Sequence, residues 1–425
     1  MSTLHNPRST LHALEPMGRG TPEVESLTSY FCRLAYSHGI TAQKLADWVL
    51  AHFEQSVCEK YGWHQRSFSS MSPESEQWAA WLAALTGVGS LDQHTLAPWR
   101  TVLGVPGLAP KSDRWCPCCL AEDRESGGEP YLRLAWDIAP VTVCVRHKVQ
   151  LATTCPHCHR ANVRNRSAVV VPGYCTSCGG FLGDAETEPA TPEALWTARQ
   201  VGLMLQAPPK VASEGLVPLL ETVIKRMADG RASAFASRYG FSKSGISHWL
   251  NKGGIPTLKA WLTIGLHGGI GLDKLFAGDV DDWELPLTPI QMSIELPESP
   301  RAGIKSRELD WDSIRAKLQA MLKEPVAVSV HEASERVGVD RKNLYLRANI
   351  ETRALADRYL RHRASIGEQR QARLQAQIGD VLDERLAAGY EGMSARDIWN
   401  RLDTEAQSVP GIFRHISQVI GSRRT

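Results

Sequence analysis

The sequence predicts a mainly α, multidomain protein with a helical N-terminal part, a tandem structural zinc-finger region and C-terminal helix-turn-helix domains. Helical periodicity of apolar residues covers most of the chain on both sides of residues 114–183. Within those residues lie eight of the ten cysteines, at spacings typical of metal ligands. In two later segments, small residues, a glycine and apolar residues have the order that is typical of a helix-turn-helix motif.

Bulk composition excludes several classes of protein. The chain has 425 residues, of which 43% are hydrophobic and 22% charged, which indicates about two to four soluble globular domains. A net charge of +2 gives no overall attraction to nucleic acid, so any basic surface must be local. The chain lacks an apolar run long enough to span a membrane and an apolar leader, and its cysteine spacing suits metal ligands in a reducing cytoplasm.

The N-terminal part is predicted to be helical after a polar start. Leu27, Phe31 and Leu34 recur on one face of a helix. Thr41 is expected to cap the next helix, and Gly87 is expected to end a third.

Breaks in this pattern and Pro-rich linkers divide the chain. The predicted parts are a flexible tail at 1–22, a domain at 23–185 (helical over 23–110, zinc-binding over 114–183), a helix-turn-helix domain at 194–284, and a second helical DNA-binding region at 307–425 with its helix-turn-helix at 328–347.

The cysteine-rich region contains four short pairs of candidate ligands, each Cys-x2-Cys or Cys-x2-His and called a clip below. Four clips are enough to bind two zinc ions. Two pairs of ligands about 25 residues apart can supply the four corners of a tetrahedral site. The predicted ligands of the first ion are Cys116, Cys119, Cys144 and His147, and those of the second are Cys155, Cys158, Cys175 and Cys178.

Ligand identity stays open at three positions. Cys118 lies between Cys116 and Cys119 and could replace either of them, and His157 or His159 could substitute for Cys158. The two remaining cysteines, Cys32 and Cys58, lie in helical, apolar surroundings and are expected to be core residues.

Four good ligands for each ion predict structural zinc and a protein that is not an enzyme. A catalytic zinc keeps one position open for water or substrate. The sequence also lacks a phosphate-binding P-loop and a nucleophile elbow. A zinc-dependent nucleic-acid enzyme is therefore the least favoured function.

The first helix-turn-helix is predicted over residues 232–251. Ala236 is small where two helices would cross, Gly240 supplies a turn, and Ile246 and Trp249 would bury the second helix. A hairpin of helices used only for packing is the alternative. The predicted DNA-binding residues of this helix are Ser242, Lys243, Ser244, Ser247 and His248.

The second helix-turn-helix, over residues 328–347, has a frame that includes Ala333, Gly338 and Leu344, with Asp340 as a cap. From residue 341 to residue 373 the chain has nine Lys or Arg against three acidic residues, a net charge of +6 that suits phosphate contacts. A solvated helix face is the alternative. The predicted DNA-binding residues are Arg341, Lys342, Asn343, Tyr345 and Arg347.

These motifs resemble the TniQ/TnsD family of transposon target-selection proteins. The N-terminal part resembles it through Glu25-Ser26-Leu27-Thr28-Ser29-Tyr30 with Arg33, and through Leu85-Thr86-Gly87. The cysteine-rich region resembles it through Cys116-Pro117-x-Cys119, Cys144-x2-His147 and Cys155-Pro156-x-Cys158. Leu344-Tyr345 and Arg358-Tyr359 are similar to the family's second DNA-binding module.

The resemblance implies a bacterial, cytoplasmic adaptor. Such an adaptor recognises double-stranded target DNA and recruits an AAA+ ATPase transposition regulator, which brings the transposase. Direct DNA binding is favoured because two helix-turn-helix segments occur together with the basic residues of positions 341–373. The alternative is a dimeric adaptor that links a CRISPR RNA-guided surveillance complex to the transposition machinery.

Overall fold

A computed structural model describes residues 9–55, 62–65, 68–165, 167–286, 309–390 and 393–423. These residues are mainly α-helical and contain two Cys/His clusters, as predicted, whereas the assignment of helix-turn-helix domains stays a prediction. They form two compact units. Unit 1 takes the described residues of Met1–Thr153, Val170–Gly173 and Leu182–Ser299, and unit 2 takes those of Thr154–Val169, Tyr174–Phe181 and Pro300–Thr425. The four-part division drawn from the sequence stays a prediction.

Unit 1 contains ten α-helices among its described residues, with one short hairpin of strands. The helices are α1 (Leu27–Ser37), α2 (Ala42–His52), α3 (Pro73–Thr86), α4 (Pro117–Glu125), α5 (Pro192–Leu205), α6 (Leu216–Ala228), α7 (Ala232–Arg238), α8 (Lys243–Asn251), α9 (Leu258–Gly268) and α10 (Leu272–Ala277). Strands β1 (Val143–Cys144) and β2 (Val149–Gln150) pair antiparallel, with Cys144 opposite Val149.

Local signals set the ends of these helices. The Thr41 side chain accepts a hydrogen bond from the backbone N–H of Lys44, so Thr41 caps α2 as predicted. Gly87 ends α3 with φ of +72°, a left-handed conformation that favours glycine.

An aromatic cluster fills the core between α1 and α3. Phe31 of α1 stacks on Phe68 with ring centroids 4.7 Å apart, and Phe68 meets Trp78 of α3 edge to face at 4.8 Å. Trp63 packs beside them, and all four side chains are almost fully buried. Aromatic pairs in this geometry stabilise a fold by more than the burial of their apolar surface alone.

A buried ion pair lies at the start of α1. Glu25 and Arg33 are 0% and 4% exposed, and Arg33 Nη1 lies 2.8 Å from Glu25 Oε2. The hydroxyl of Ser29 donates to Glu25 Oε1 at 2.8 Å, and His94 Nδ1 lies 2.8 Å from the Glu25 carbonyl oxygen. The residues that carry the N-terminal family resemblance therefore fasten α1 to its surroundings.

Residues 9–22 differ from the flexible tail predicted for residues 1–22. Leu11 is buried in the core of α1–α3, and its backbone N–H donates to the carbonyl oxygen of Leu85 at 2.8 Å. Arg19 donates to the carbonyl oxygen of Gly89. This segment packs on unit 1 because its few apolar side chains enter an existing core.

Unit 2 contains seven α-helices among its described residues. They are α11 (Trp311–Met321), α12 (Val330–Val337), α13 (Arg341–Arg347), α14 (Asn349–Ala387), α15 (Ala395–Trp399), α16 (Thr404–Gln407) and α17 (Ile412–Arg423). Within the ranges described, none of the helices combines the length and the apolar character needed to cross a membrane.

Helix α14 serves two separate apolar cores. Leu355, near its N-terminal end, belongs to a core with α11–α13. Leu374, Ile378 and Leu382, near its C-terminal end, are buried in the part of the helix that contacts α15 and α17. Between Leu355 and Leu374 the helix buries no apolar side chain.

Candidate metal centres and nucleic-acid interface

The first candidate metal centre, cluster A, belongs to unit 1. Cys116 precedes α4 and Cys119 lies in its first turn. Cys144 ends β1, and His147 lies in the turn that leads to β2. Lys148, with φ of +55°, closes this turn by donating its N–H to the Cys144 carbonyl oxygen at 2.9 Å. A helix start and a hairpin turn thus bring two ligand pairs together.

The ligand atoms of cluster A lie at metal-binding distances. Nδ1 of His147 lies 3.5, 3.3 and 3.6 Å from the Sγ atoms of Cys116, Cys119 and Cys144. Sγ of Cys119 lies 3.6 Å from Sγ of Cys144, and all four atoms lie within 4.8 Å of one another. Neighbouring ligands around tetrahedral zinc are roughly 3.5–4 Å apart. The group could therefore hold one metal ion.

A carboxylate lies behind the histidine of cluster A. Nε2 of His147 is 2.8 Å from Oε1 of Glu122 on α4, and Arg146 is 2.6 Å from the other oxygen of Glu122. A carboxylate in this position fixes the histidine ring with Nδ1 free to bind metal. Sequence reasoning missed Glu122, although its place one turn after Cys119 could have indicated it.

The second candidate metal centre, cluster B, belongs to unit 2. Its four Sγ atoms lie within 4.8 Å of one another, with Cys155 and Cys178 3.6 Å apart and Cys158 and Cys175 3.7 Å apart. All four cysteines are buried. The group could hold a second metal ion.

Two matching turns build cluster B. The backbone N–H of Cys155 donates to the carbonyl oxygen of Arg160 at 3.0 Å, and that of Cys175 donates to Gly180 at 2.9 Å. The fourth residue after each first cysteine has positive φ, +52° at His159 and +78° at Gly179. This shared geometry turns both sulfurs of each clip toward one point.

At the three positions where the ligand was left open, the structure favours the cysteines of the Cys-x2-Cys pairs. Cys118 is half-buried and lies outside cluster A. His157 and His159 lie outside cluster B, and Nε2 of His157 is 3.0 Å from the carbonyl oxygen of Phe181. Cys32 is buried in the core of α1–α3 as predicted, and Cys58 lies outside the described residues.

Hydrogen bonds between thiols favour a thiolate in each cluster. Those from Cys116 and Cys119 hold the pKa of Cys144 far below its usual range, while hydrogen bonds with Cys116 and Cys144 raise the pKa of Cys119. Those from Cys155 and Cys175 likewise hold the pKa of Cys158 far below its usual range. The thiolate is the form of cysteine that binds metal. A structural zinc site has four protein ligands and no open position, which is the number of candidate ligands in each cluster.

Cluster B is attached to the middle of α14. The hydroxyl of Tyr359 donates to the Cys158 carbonyl oxygen at 2.7 Å, and Arg370 Nη1 donates to that of Cys178 at 2.6 Å. Residues 359 and 370 are three helical turns apart and share a face of α14. Ser408 donates to the carbonyl oxygen of Gly179 at 3.1 Å.

The first helix pair, α7 and α8, has the expected frame. Gly240 has φ of +71°, and Ala236 and Ile246 are buried. Trp249 is only half-buried, so it buries the second helix less than predicted, and its ring lies edge to face with Phe241. The predicted DNA-binding residues are all exposed: Ser242, Lys243, Ser244, Ser247 and His248.

Ser242 already has a structural role. Its side chain accepts a hydrogen bond from the backbone N–H of Gly245 at 3.0 Å and caps α8. The other four candidates are better placed to contact a ligand.

The second helix pair, α12 and α13, also has the expected frame. Gly338 has φ of +67°, and Ala333 and Leu344 are fully buried. The Asp340 carboxylate accepts from the N–H of Lys342 at 2.8 Å and caps α13. The predicted DNA-binding residues are all exposed: Arg341, Lys342, Asn343, Tyr345 and Arg347.

The basic residues at positions 341–373 fall into two groups, those that hold elements of the fold together and those that are exposed. Arg358 donates to the carbonyl oxygens of Met321, Glu324 and Val326, so it fastens α14 to the end of α11 and the following loop. Arg370 holds cluster B. Within the described part of the chain, no carboxylate is paired with the exposed cations of α13 and the start of α14, which are Arg341, Lys342, Arg347 and Arg353.

Comparison with known families gives one match. Residues 16–151 match the family model described as TniQ. This range covers α1–α4, the β hairpin and all four residues of cluster A. None of the curated proteins compared with the chain matches it.

Proposed function

Because the chain carries a TniQ domain and so belongs to the TniQ family, we propose that it is a DNA-binding target-site selection protein of a transposon. The TniQ domain indicates a family associated with transposition and target selection. In this proposal the chain is a non-catalytic adaptor that recognises target DNA and recruits an AAA+ regulator, and through it the transposase.

The observation that carries this proposal is the set of exposed cations on the second helix pair. Arg341, Lys342 and Arg347 lie on α13, which follows α12 across a glycine turn. The second helix of a helix-turn-helix enters the major groove, and cations on it contact phosphates and guanines. Lys243 and His248 occupy the corresponding helix of the first pair.

Both clusters hold structural zinc in this proposal. Three buried cysteines with one histidine, and four buried cysteines, are ligand sets that suit Zn²⁺. A closed site makes each cluster a folding element, so the chemistry of transposition would belong to the partners.

The test is binding of purified protein to duplex DNA alone. We expect binding at low salt, with affinity that falls steeply as salt rises because counterions are released. Charge reversal at Lys243, Arg341 and Lys342 should weaken binding at least about tenfold and lower the salt slope by about one for each phosphate that the protein no longer neutralises. Lys44→Glu, an exposed charge reversal on α2, is the matched control and should bind as the wild type does.

The outcomes separate the two adaptor hypotheses. Duplex binding by the isolated protein supports direct target recognition. Binding only in the presence of a CRISPR RNA-guided complex would contradict it and favour the dimeric adaptor for RNA-guided insertion.

A further inference from the structure

An exposed line of side chains runs along α13 and the start of α14. It consists of Lys342, Leu346, Ile350 and Arg353 and is called the stripe below. Leu346 is 68% exposed and Ile350 is 82% exposed, which are high values for aliphatic side chains. Exposed aliphatic residues grouped together commonly mark a binding surface.

The burial pattern shows that the stripe faces away from the core. Leu344, Ala348, Thr352 and Leu355 are all buried and are spaced by four, four and three residues. Each stripe residue comes two positions before one of them and is itself exposed, so it faces away from the core. The pattern continues across Ala348, where α13 gives way to α14.

The two ends of the stripe are cationic. Lys342 and Arg353 are exposed, and no acidic partner is paired with either of them in the described ranges. If two copies of the chain paired antiparallel through the stripe, Lys342 of one would face Arg353 of the other, and like charges oppose such a contact. The charges instead suit a polyanion that also offers apolar groups.

Duplex DNA offers both kinds of group. Lys342 lies on α13 and Arg353 lies on α14, on either side of the non-helical residue Ala348. The major groove is about 12 Å wide between its phosphate strands, and each thymine presents a methyl group on its floor. Long basic side chains at the two ends can reach the strands while the centre meets the bases.

We propose that Leu346 and Ile350 contact thymine methyl groups in the major groove, with Lys342 and Arg353 on the flanking phosphates. This inference rests on the proposed DNA-binding function and deepens it by assigning a preference for thymine. Aliphatic side chains distinguish thymine because the other bases lack this methyl group.

The experiment compares two alternating duplexes, poly(dA-dT) and poly(dA-dU), which differ only in the methyl group. The wild type should bind the thymine duplex more tightly, by about fourfold for each methyl group buried. The double variant Leu346→Ala and Ile350→Ala should lose most of that preference, and each single variant should lose part of it. Leu386→Ala, an exposed leucine elsewhere on α14, is the control and should keep it.

Each outcome decides the proposal. Wild-type binding with equal affinity for both duplexes, or a preference that survives in the double variant, overturns the inference and leaves the proposed function intact. No binding to either duplex at low salt overturns both. Sedimentation that shows a wild-type dimer and a monomeric double variant, without a thymine preference, assigns the stripe to self-association and also overturns the inference.

Discussion

The hydroxyl of Tyr359 donates a hydrogen bond to the backbone carbonyl oxygen of Cys158, at 2.7 Å. Arg370, three turns later, makes the equivalent contact with Cys178 at 2.6 Å. Each clip of cluster B therefore offers the carbonyl of its second cysteine to the same face of α14. Cluster B takes the place of an apolar core along the stretch between Leu355 and Leu374.

We expect the purified protein to contain two zinc ions per chain. Cys116→Ser with Cys119→Ser should remove one ion, and Cys175→Ser with Cys178→Ser should remove the other, because two ligands cannot hold zinc tightly. Elemental analysis of each variant measures this. Retention of both ions by either double variant would show that the assigned cluster is not a zinc site.

Removal of zinc by a chelator should loosen the middle of α14. Between Leu355 and Leu374 the helix buries no apolar side chain and contacts cluster B through Tyr359 and Arg370, whereas both ends of the helix have apolar cores. Hydrogen exchange should therefore increase there by more than at the helix ends. The variant Cys175→Ser with Cys178→Ser should reproduce this pattern, and Cys116→Ser with Cys119→Ser should not.

Tyr359→Phe should destabilise unit 2 by about 1 kcal/mol, because the carbonyl of Cys158 loses a neutral hydrogen bond. Urea denaturation measures the change in the free energy of unfolding. Tyr345→Phe is the matched control, since Tyr345 is exposed. Equal stability of Tyr359→Phe and the wild type would show that the contact with α14 contributes nothing.

Arg33→Met should cost about 3–5 kcal/mol, since it leaves the carboxylate of Glu25 buried without a cation. Burial already raises the pKa of Glu25, and Arg33 opposes that rise. Arg100→Met removes a similar pair with Glu76 whose arginine is 51% exposed, and should cost less than about 1 kcal/mol. Similar losses from the two variants in urea denaturation would contradict the structural importance of the buried pair.

Acid should destabilise unit 1 through His94. Burial lowers the pKa of His94 to about 4, against an ordinary value of 6.5, so the unfolded chain takes up a proton first as pH falls. The contribution of His94 to stability is complete above pH 6.5, and about 3 kcal/mol of it is lost between pH 6.5 and pH 4.

The comparison with His94→Asn isolates this effect from other groups that titrate. An asparagine amide can replace the Nδ1–H that donates to the Glu25 carbonyl, but it does not titrate. The free energy of unfolding of the wild type should fall relative to that of the variant as pH drops through this range. A constant difference between the two proteins would show that His94 is not held neutral.

Features with a local sequence signature were predicted from the sequence. Thr41 caps its helix and Gly87 ends one because each acts on the backbone next to it. The eight predicted ligands lie together in two clusters, as their spacing predicts, since a pair of residues at this spacing can turn both side chains toward one point.

Features that depend on distant partners were not predicted. The burial of Leu11 depends on a core made by residues much later in the chain. Arg358 and Arg370 were counted among the phosphate-binding residues of positions 341–373. Their hydrogen-bond acceptors are backbone carbonyl oxygens, and the sequence does not show which carbonyl a side chain will reach. Charge alone cannot distinguish a cation that binds a ligand from one that fastens a helix.

The assignment of the two clusters to different units affects how the chain can be divided. A fragment that ends at residue 286 would keep all eight ligands but would lack the helix on which Cys155–Cys178 depends. A fragment that begins at residue 309 would carry α14 without its cysteines. Natural exchange of C-terminal segments between related proteins would meet the same obstacle, so residues 154–181 should be inherited together with the helices that follow.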